Sequence, residues 1–341
     1  MKITVQTNKN IIFFGTLLSL INNEKDFHPL GKKIVEEFKD IKGIEAFKEF
    51  EKSIKEKKIP SHPWQYKFLS INLNNDLTPM SLSPMDGFGP KRGKGYIEDI
   101  YPIVNRINKE SNFEERYKER ILPDYEVIVE DIQRRLDKEK PEDILEKFWG
   151  KEPGIKLLFI PNPLRVGGGS SASREERFYS ITGTVWSEDK IIFHPSHMVS
   201  NLLHEYSHLF FNRALYKDRE LVEKNNELCD LLFEGIGKDV DSEMFKNYGS
   251  PKIYFEETFI RAVQVFLTGK FFEKVTKKDM TDKSLESLKR LKNEGFIYIE
   301  NFYNRLETSK RPIFTYIEVL ESIGKEDCLI KVKDNVESGK K

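Results

Sequence analysis

The sequence predicts an α+β fold that is predominantly helical and contains one small, mainly antiparallel sheet. Segments rich in Lys and Glu carry apolar residues at helical spacing over about 30–60, and similar patterns resume over about 97–149. After Pro153 the pattern changes to short apolar segments separated by Gly and Ser, which is typical of strands. The apolar segment 199–211 follows directly and favours a buried helix next to that sheet.

We expect two regions along the chain, a mostly helical one over 1–150 and a second one over 151–341; one continuous domain is the alternative. The apolar run 11–21 predicts a first buried helix, or a strand that leads into one. It is too short to cross a bilayer and lacks the flanks of a signal peptide. The many Pro and Gly residues over 60–96 predict a loop-rich stretch, and a long helix is expected over about 284–308.

The strands are predicted from short apolar segments after the change of pattern. Residues 155–160 are expected to form a strand that ends at Pro161. Residues 178–186 and 190–193 predict a hairpin around the polar turn between them. The glycine- and serine-rich stretch 164–175 is expected to be a flexible loop.

The composition excludes several classes of partner. The 341 residues carry 56 Lys and Arg against 56 Asp and Glu, so the formal net charge is zero and nothing favours nucleic acid. The two cysteines, Cys229 and Cys328, fit no metal-binding spacing and are expected to be free thiols of a reducing compartment. We therefore expect a cytoplasmic protein that associates with neither nucleic acid nor a membrane.

The most informative segment is His204-Glu205-Tyr206-Ser207-His208, an HExxH motif. On a helix, residues i and i+4 lie about one turn apart on the same face, so both imidazoles can bind one ion. Glu205 lies about 100° around the helix axis from His204, where a carboxylate can meet a bound water without displacing a ligand. Two nitrogen ligands with an adjacent general base are typical of a zinc hydrolase.

The alternative is an ordinary amphipathic helix with two surface or hydrogen-bonded histidines. The flanks favour the metal site, because Glu205 is the only charged residue between Val199 and Phe211. A surface helix normally shows a stripe of Lys and Glu. A buried helix with two His and one Glu needs partners for these polar groups, and a metal ion supplies them.

Zinc with two protein nitrogens needs a third protein ligand. The extended motif HExxHxxGxxH is excluded, because Phe211 and Ala214 stand where Gly and His are required. A carboxylate on a later helix is therefore expected, since the other four histidines all precede the motif: His28, His62, His194 and His197.

Two later stretches offer such carboxylates. Residues 219–234 contain many, but Lys and Asn surround them as on a solvated helix face. In 253–267, Glu256, Glu257 and Arg261 are embedded in apolar residues at helical spacing. Glu257 is the predicted third ligand and Glu256 the fallback, and Arg261 is expected to orient the Glu257 carboxylate from the next turn. A buried salt bridge that only holds two helices together is the alternative.

The block 203–212 (LHEYSHLFFN) resembles the zinc-helix signature of the DUF4932 family, in which HExxH is followed by an apolar stretch and an Asn. The run 11–21 resembles the opening of that family, and 295–300 (GFIYIE) with Arg311 and Tyr316 resembles its C-terminal part. The resemblance implies a gluzincin-like metallopeptidase fold with a Glu third ligand in an E-x-x-x-R-A setting. Glu257, Arg261 and Ala262 match that setting here.

These observations predict a zinc-dependent hydrolase, most specifically a metallopeptidase, with one Zn²⁺ per chain and a peptide or protein as substrate. Zinc bound by His204, His208 and Glu257 is expected to lower the pKa of a water molecule towards about 7, with Glu205 as general base. The tetrahedral oxyanion needs a further donor, and four residues are candidates: Tyr254, Tyr303, Tyr316 and Arg261. The alternatives are a non-catalytic binding or regulatory protein on the same scaffold, and a zinc amidohydrolase with a non-peptide substrate.

Overall fold

The computed structural model describes residues 1–56, 59, 63–74, 76–78, 80, 99–187, 190–236, 248, 250–308 and 311–338. Within these residues the predicted α+β class is confirmed, because helices predominate and a small sheet is present. The chain forms two compact units, 1–139 with 154–202 and 140–153 with 203–341. Each unit is built from two stretches of chain. None of the described helices is long and apolar enough to cross a membrane.

The first unit contains a short N-terminal strand followed by a series of helices. The apolar run 11–21 lies in the first helix, which begins at Lys9. Asn8 caps this helix, since its side chain accepts a hydrogen bond from the N–H of Ile11 at 2.9 Å. A 3-10 turn at Lys39–Gly43 and a π turn at Tyr117–Ile121 connect some of the helices. The helices are α1 (Lys9–Asn22), α2 (Pro29–Glu37), α3 (Glu45–Lys55), α4 (Pro63–Ile71), α5 (Tyr101–Glu110), α6 (Phe113–Arg116) and α7 (Leu122–Glu139).

The sheet of the first unit is mixed, whereas the sequence predicted a mainly antiparallel one. Its described strands are β1 (Ile3–Val5), β2 (Lys156–Val166), β3 (Gly169–Arg174), β4 (Arg177–Ser187) and β5 (Lys190–Ile192). Their order is β1-β2-β4-β3, with β5 paired to the end of β4. Strands β1 and β4 run parallel to β2, whereas β3 and β5 run antiparallel to β4. The predicted hairpin is β4 with β5, in which Ser187 is opposite Lys190.

The chain crosses over β4 at Gly183, and this crossing explains the mixed pairing. An added Cβ at Gly183 would lie 2.7 Å from the carbonyl oxygen of Arg165 and 2.8 Å from that of Gly167. Because the connection from β2 passes so close above β4, β3 lies on the other edge of β4, and β2 and β4 become parallel neighbours. The stretch expected to be a flexible loop therefore holds the end of β2, the crossing and β3.

The predicted end of β2 at Pro161 is also wrong, because the strand continues to Val166. The register between β2 and β4 shifts between these two residues, so the strand passes the proline as an irregular segment. Proline has no N–H to donate to a ladder, and an irregularity of this kind is a common way to accommodate it.

The core of the first unit surrounds α1. The rings of Phe13 and Phe113 lie 4.9 Å apart, those of Phe38 and Phe113 4.3 Å, and those of Phe14 and Tyr66 5.3 Å. These five side chains are at most 1% exposed. Such complete burial explains why α1 carries no stripe of charged residues.

The second unit is helical in its described part. Helix α9 (Pro195–Tyr216) carries the HExxH motif and contributes residues 203–216 to this unit. The long helix expected over 284–308 is instead two helices, because the chain turns at Gly295 with a φ of 105°. A group of aromatic residues forms a buried core in which neighbouring rings lie 5.0–5.7 Å apart: Phe211, Phe259, Phe302 and Tyr316. The helices are α8 (Glu142–Trp149), α9 (Pro195–Tyr216), α10 (Arg219–Ile236), α11 (Pro251–Thr276), α12 (Thr281–Asn293), α13 (Ile299–Leu306) and α14 (Pro312–Ser338).

Candidate metal centre

The HExxH motif lies on a part of α9 that packs into the interior through the apolar residues around the motif. His204 and Glu205 are 9% and 6% exposed, and Leu203 and Tyr206 beside them are fully buried. The side chain of His208 is 24% exposed. The environment is thus the buried one that the flanking residues predicted, and His208 lies on its more open side.

Glu257 approaches the two histidines from α11. Its Oε2 lies 3.1 Å from Nε2 of His208, and its Oε1 lies 3.7 Å from Nε2 of His204. The two imidazole Nε2 atoms are 3.1 Å apart. Within the described part of the chain these three residues are the group that could hold a metal ion, with all ligand atoms within 4.8 Å of one another.

The sequence explains why α11 carries a carboxylate into the interior. Its N terminus is fixed by Pro251 in the first turn and by Ser250, whose hydroxyl accepts from the N–H of Ile253 at 3.2 Å. Phe255, Phe259 and Val263 are buried as predicted, and they lie among further buried residues on the same helix. Glu257 is therefore only 8% exposed.

Burial and the Glu257 carboxylate set the charges of the site. Burial lowers the pKa of His204 to about 3, although Glu257 opposes this shift. Burial also disfavours the charged form of His208, but the hydrogen bond and negative charge of Glu257 outweigh it and the pKa is raised. Burial favours protonated Glu257, but the two histidines and Arg261 outweigh it and hold the pKa of the carboxyl well below its usual range. Without a metal ion, the site thus pairs an ionised carboxylate with one neutral imidazole.

Arg261 pairs with the Glu257 carboxylate at the oxygen that also faces His204. Its Nε lies 2.8 Å from Oε1 of Glu257, one turn earlier on α11. Its guanidinium lies over the ring of Phe296 at 4.8 Å, and one Nη is 3.5 Å from the hydroxyl of Tyr248. These contacts hold the guanidinium beside the carboxylate, and the orienting role of Arg261 stays a prediction.

Glu256, the fallback ligand, is held elsewhere. Its Oε1 accepts a hydrogen bond from Nδ2 of Asn225 at 3.1 Å, and Asn225 in turn accepts one from the hydroxyl of Tyr316 at 2.9 Å. Cys229 donates to the same Asn225 oxygen at 3.3 Å. The two adjacent carboxylates of α11 thus point to different sides of the helix, and Glu257 is the one that faces the histidines. In the competing stretch 219–234, the carboxylates with described side chains are exposed: Glu220, Glu223, Glu227 and Asp230.

Two of the four oxyanion-donor candidates have hydroxyls that are already bonded away from the histidines. Tyr254 donates to the carbonyl of Gly295 at 2.9 Å and accepts from the N–H of Ile297 at 3.2 Å. Tyr316 donates to Asn225, as described above. The ring of Tyr303 packs against Phe266, with 6.1 Å between their centroids. The hydroxyls of Tyr254 and Tyr316 are therefore engaged in other hydrogen bonds in this structure.

Three polar residues around the site were not singled out in the sequence. Gln264 forms a side-chain hydrogen bond with His204. It lies seven residues after Glu257, two turns along the same face, so helical spacing could have identified it. Asn225 and Tyr248 come from other segments of the chain, and no local pattern relates them to the motif.

The search for related proteins found a family but no individual relative. Residues 92–320 match a family described as a domain of unknown function, DUF4932. This range covers more than half of the chain and includes the HExxH motif, Glu257 and Arg261. No curated protein and no solved structure matched the chain. The family resemblance noted in the sequence is thereby confirmed, and the chain belongs to the DUF4932 family.

Proposed function

We propose that this protein is a zinc-dependent hydrolase, and specifically a metallopeptidase. The observation that carries the proposal is the convergence of His204, His208 and Glu257, with Glu205 next to the first histidine on the same helix. Two imidazoles and one carboxylate are a donor set that zinc favours in catalytic sites, because three protein ligands leave a position open.

The donor set also fits zinc on physical grounds. The three side chains are largely buried, and buried polar groups of this kind are costly unless they are paired or bind a metal. The low pKa of His204, about 3, keeps its imidazole neutral, which is the form that binds a metal. The separation of the two Nε2 atoms, 3.1 Å, is close to what two zinc–nitrogen bonds of about 2.0–2.1 Å allow in a tetrahedral site.

Glu205 is the residue that we assign to proton transfer. When bound, zinc supplies Lewis acidity that lowers the pKa of a water molecule towards about 7. Glu205 is 6% exposed, and its negative charge contributes to the raised pKa of His208. The carboxylate is therefore close enough to interact electrostatically with this candidate ligand. In the proposed reaction it accepts a proton from the attacking water and passes it to the leaving amine.

The test combines metal analysis with a digest of a broad peptide library. We expect about one zinc per chain and cleavage that disappears in Glu205→Gln, although this variant keeps its zinc. Glu227→Gln is the matched control, because Glu227 is an exposed carboxylate on α10 and its loss leaves cleavage unchanged. Full activity in Glu205→Gln would contradict the mechanism. Zinc without any cleavage would favour the binding protein over the peptidase.

A further inference from the structure

A pocket in the first unit is lined by cationic side chains. It has a volume of about 340 Å³ and lies beside the loop after β1, the start of α1 and the hairpin of β3 and β4. Among its lining residues are four cations and one carboxylate: Lys9, Lys118, Arg174, Arg177 and Glu114. We call it the arginine pocket.

Arg174 and Arg177 directly oppose each other in the antiparallel register of β3 and β4. Like charges at directly opposed positions of a sheet destabilise it. Within the described residues neither arginine forms an ion pair with a carboxylate. Arg174 instead donates to the carbonyl of Ile71 at 3.4 Å and contacts the sulfur of Met80. Both arginines thus line the pocket without an ion-paired carboxylate among the described residues, although the turn between them consists of Glu175 and Glu176.

The other two cations share one carboxylate. Lys9 lies 3.1 Å and Lys118 2.9 Å from the oxygens of Glu114. The Lys9 side chain is only 9% exposed. One carboxylate balances one positive charge, so the lining keeps an excess of cations and will concentrate anions.

Polar groups that recognise hydroxyls also line the pocket. Asn10 is 4% exposed, and its amide nitrogen donates to the carbonyls of Ser70, Leu73 and Asn74 at 3.2–3.4 Å. Its Oδ1 accepts no hydrogen bond from any described residue. A buried acceptor without a donor is unfavourable, and a ligand hydroxyl would satisfy it. The buried side chains of Tyr117 and Tyr179 complete this polar lining.

We propose that the arginine pocket binds a small phosphate monoester that also carries hydroxyl groups. Arginine pairs bind phosphate oxygens through two parallel hydrogen bonds, and phosphate offsets the repulsion between opposed guanidinium groups. A cavity of about 340 Å³ is at the small end of ligand pockets, which favours a compact molecule. This site is independent of the metal centre, and its ligand need not be a substrate.

Calorimetric titration of the full chain tests the proposal with three probes. Glycerol 3-phosphate is expected to bind saturably and more tightly than inorganic phosphate, and glycerol is expected not to bind. Arg174→Gln and Arg177→Gln should each weaken glycerol 3-phosphate binding at least about tenfold, because each removes a charged hydrogen-bond donor. Arg134→Gln is the matched control, since Arg134 is an exposed arginine of the same unit, paired with Asp131 at 3.3 Å.

Melting temperature gives a second measurement that separates ligand binding from folding. Without ligand, Arg177→Gln should melt no lower than the natural protein, because the change removes a like-charge pair. With glycerol 3-phosphate, the natural protein should gain more in melting temperature than the variant. Absence of saturable binding by both phosphate probes, or equal affinity of the natural protein and Arg177→Gln, would overturn the proposal.

Discussion

The guanidinium of Arg261 and the carboxylate of Glu257 form a close ion pair, with 2.8 Å between Nε and Oε1, while the same carboxylate lies 3.1 Å from Nε2 of His208. Glu257 therefore forms the salt bridge and also lies where the proposed metal needs its third ligand, two roles that the sequence presented as alternatives. Arg261 lies closest to Oε1 of the carboxylate, which is also 3.7 Å from Nε2 of His204, and His208 lies closest to Oε2.

Glu257→Ala should lower zinc affinity by about 100-fold or more, since only two protein ligands remain. Glu256→Ala is the matched control from the adjacent position. Its carboxylate is bonded to Asn225 at 3.1 Å, so this variant should keep its zinc. Zinc content after dialysis against a weak chelator measures both. If only the Glu256→Ala variant lost its zinc, Glu256 rather than Glu257 would be the third ligand.

Arg261→Met should destabilise the metal-free protein by about 3–5 kcal/mol, because it removes the cation that lies 2.8 Å from the buried Glu257 carboxylate. With zinc bound, the loss should be smaller, since the ion neutralises the carboxylate. Arg290→Met is the control, because Arg290 pairs with Glu294 at the same i, i+4 spacing but on an exposed face. That variant should change the free energy of unfolding by less than about 1 kcal/mol. Urea unfolding with and without chelator gives these differences. Equal losses in both states would contradict a link between Arg261 and the metal.

Zinc affinity should fall as the pH falls through the raised pKa of His208, because a proton and the metal compete for the same nitrogen. In the metal-free protein, the raised pKa means that the protonated form is stabilised by folding. This contribution is fully present below the unfolded value of about 6.5 and is lost as the pH rises through the folded pKa. Calorimetry in two buffers of different ionisation enthalpy should show proton release on zinc binding at pH 6.5. Release that is the same in His208→Ala would contradict this assignment.

Gly183→Ala should destabilise the first unit by about 1–3 kcal/mol, because the added Cβ meets two backbone oxygens that cannot rotate away. Gly43→Ala is the control, since a Cβ at Gly43 meets nothing within 4 Å. Both variants should keep their zinc. Thermal unfolding distinguishes them, and an unchanged melting temperature for Gly183→Ala would disprove the close crossing.

Local patterns predicted the grouping of His204, His208 and Glu257 better than they predicted the sheet. The HExxH spacing and the apolar setting of Glu257 are properties of single helices, and helical periodicity identifies them directly. The mixed pairing depends on one contact between distant segments, at Gly183, and no short-range pattern encodes it. The passage of β2 beyond Pro161 was missed for the same reason, because tertiary pairing outweighed the local preference of proline. The hydrogen bond between Asn225 and Glu256 likewise joins two helices and cannot be read along the chain.

The rings of Phe211 on α9 and Phe259 on α11 lie 5.5 Å apart, and Tyr316 contacts both. These two helices carry the three candidate metal ligands, so apolar packing, rather than an ion, sets the spacing between them. Zinc fingers differ, because they gain their fold from the metal and unfold without it. In this protein the chain does not depend on zinc binding to become ordered. Removal of zinc should therefore leave the far-ultraviolet circular dichroism of the protein unchanged.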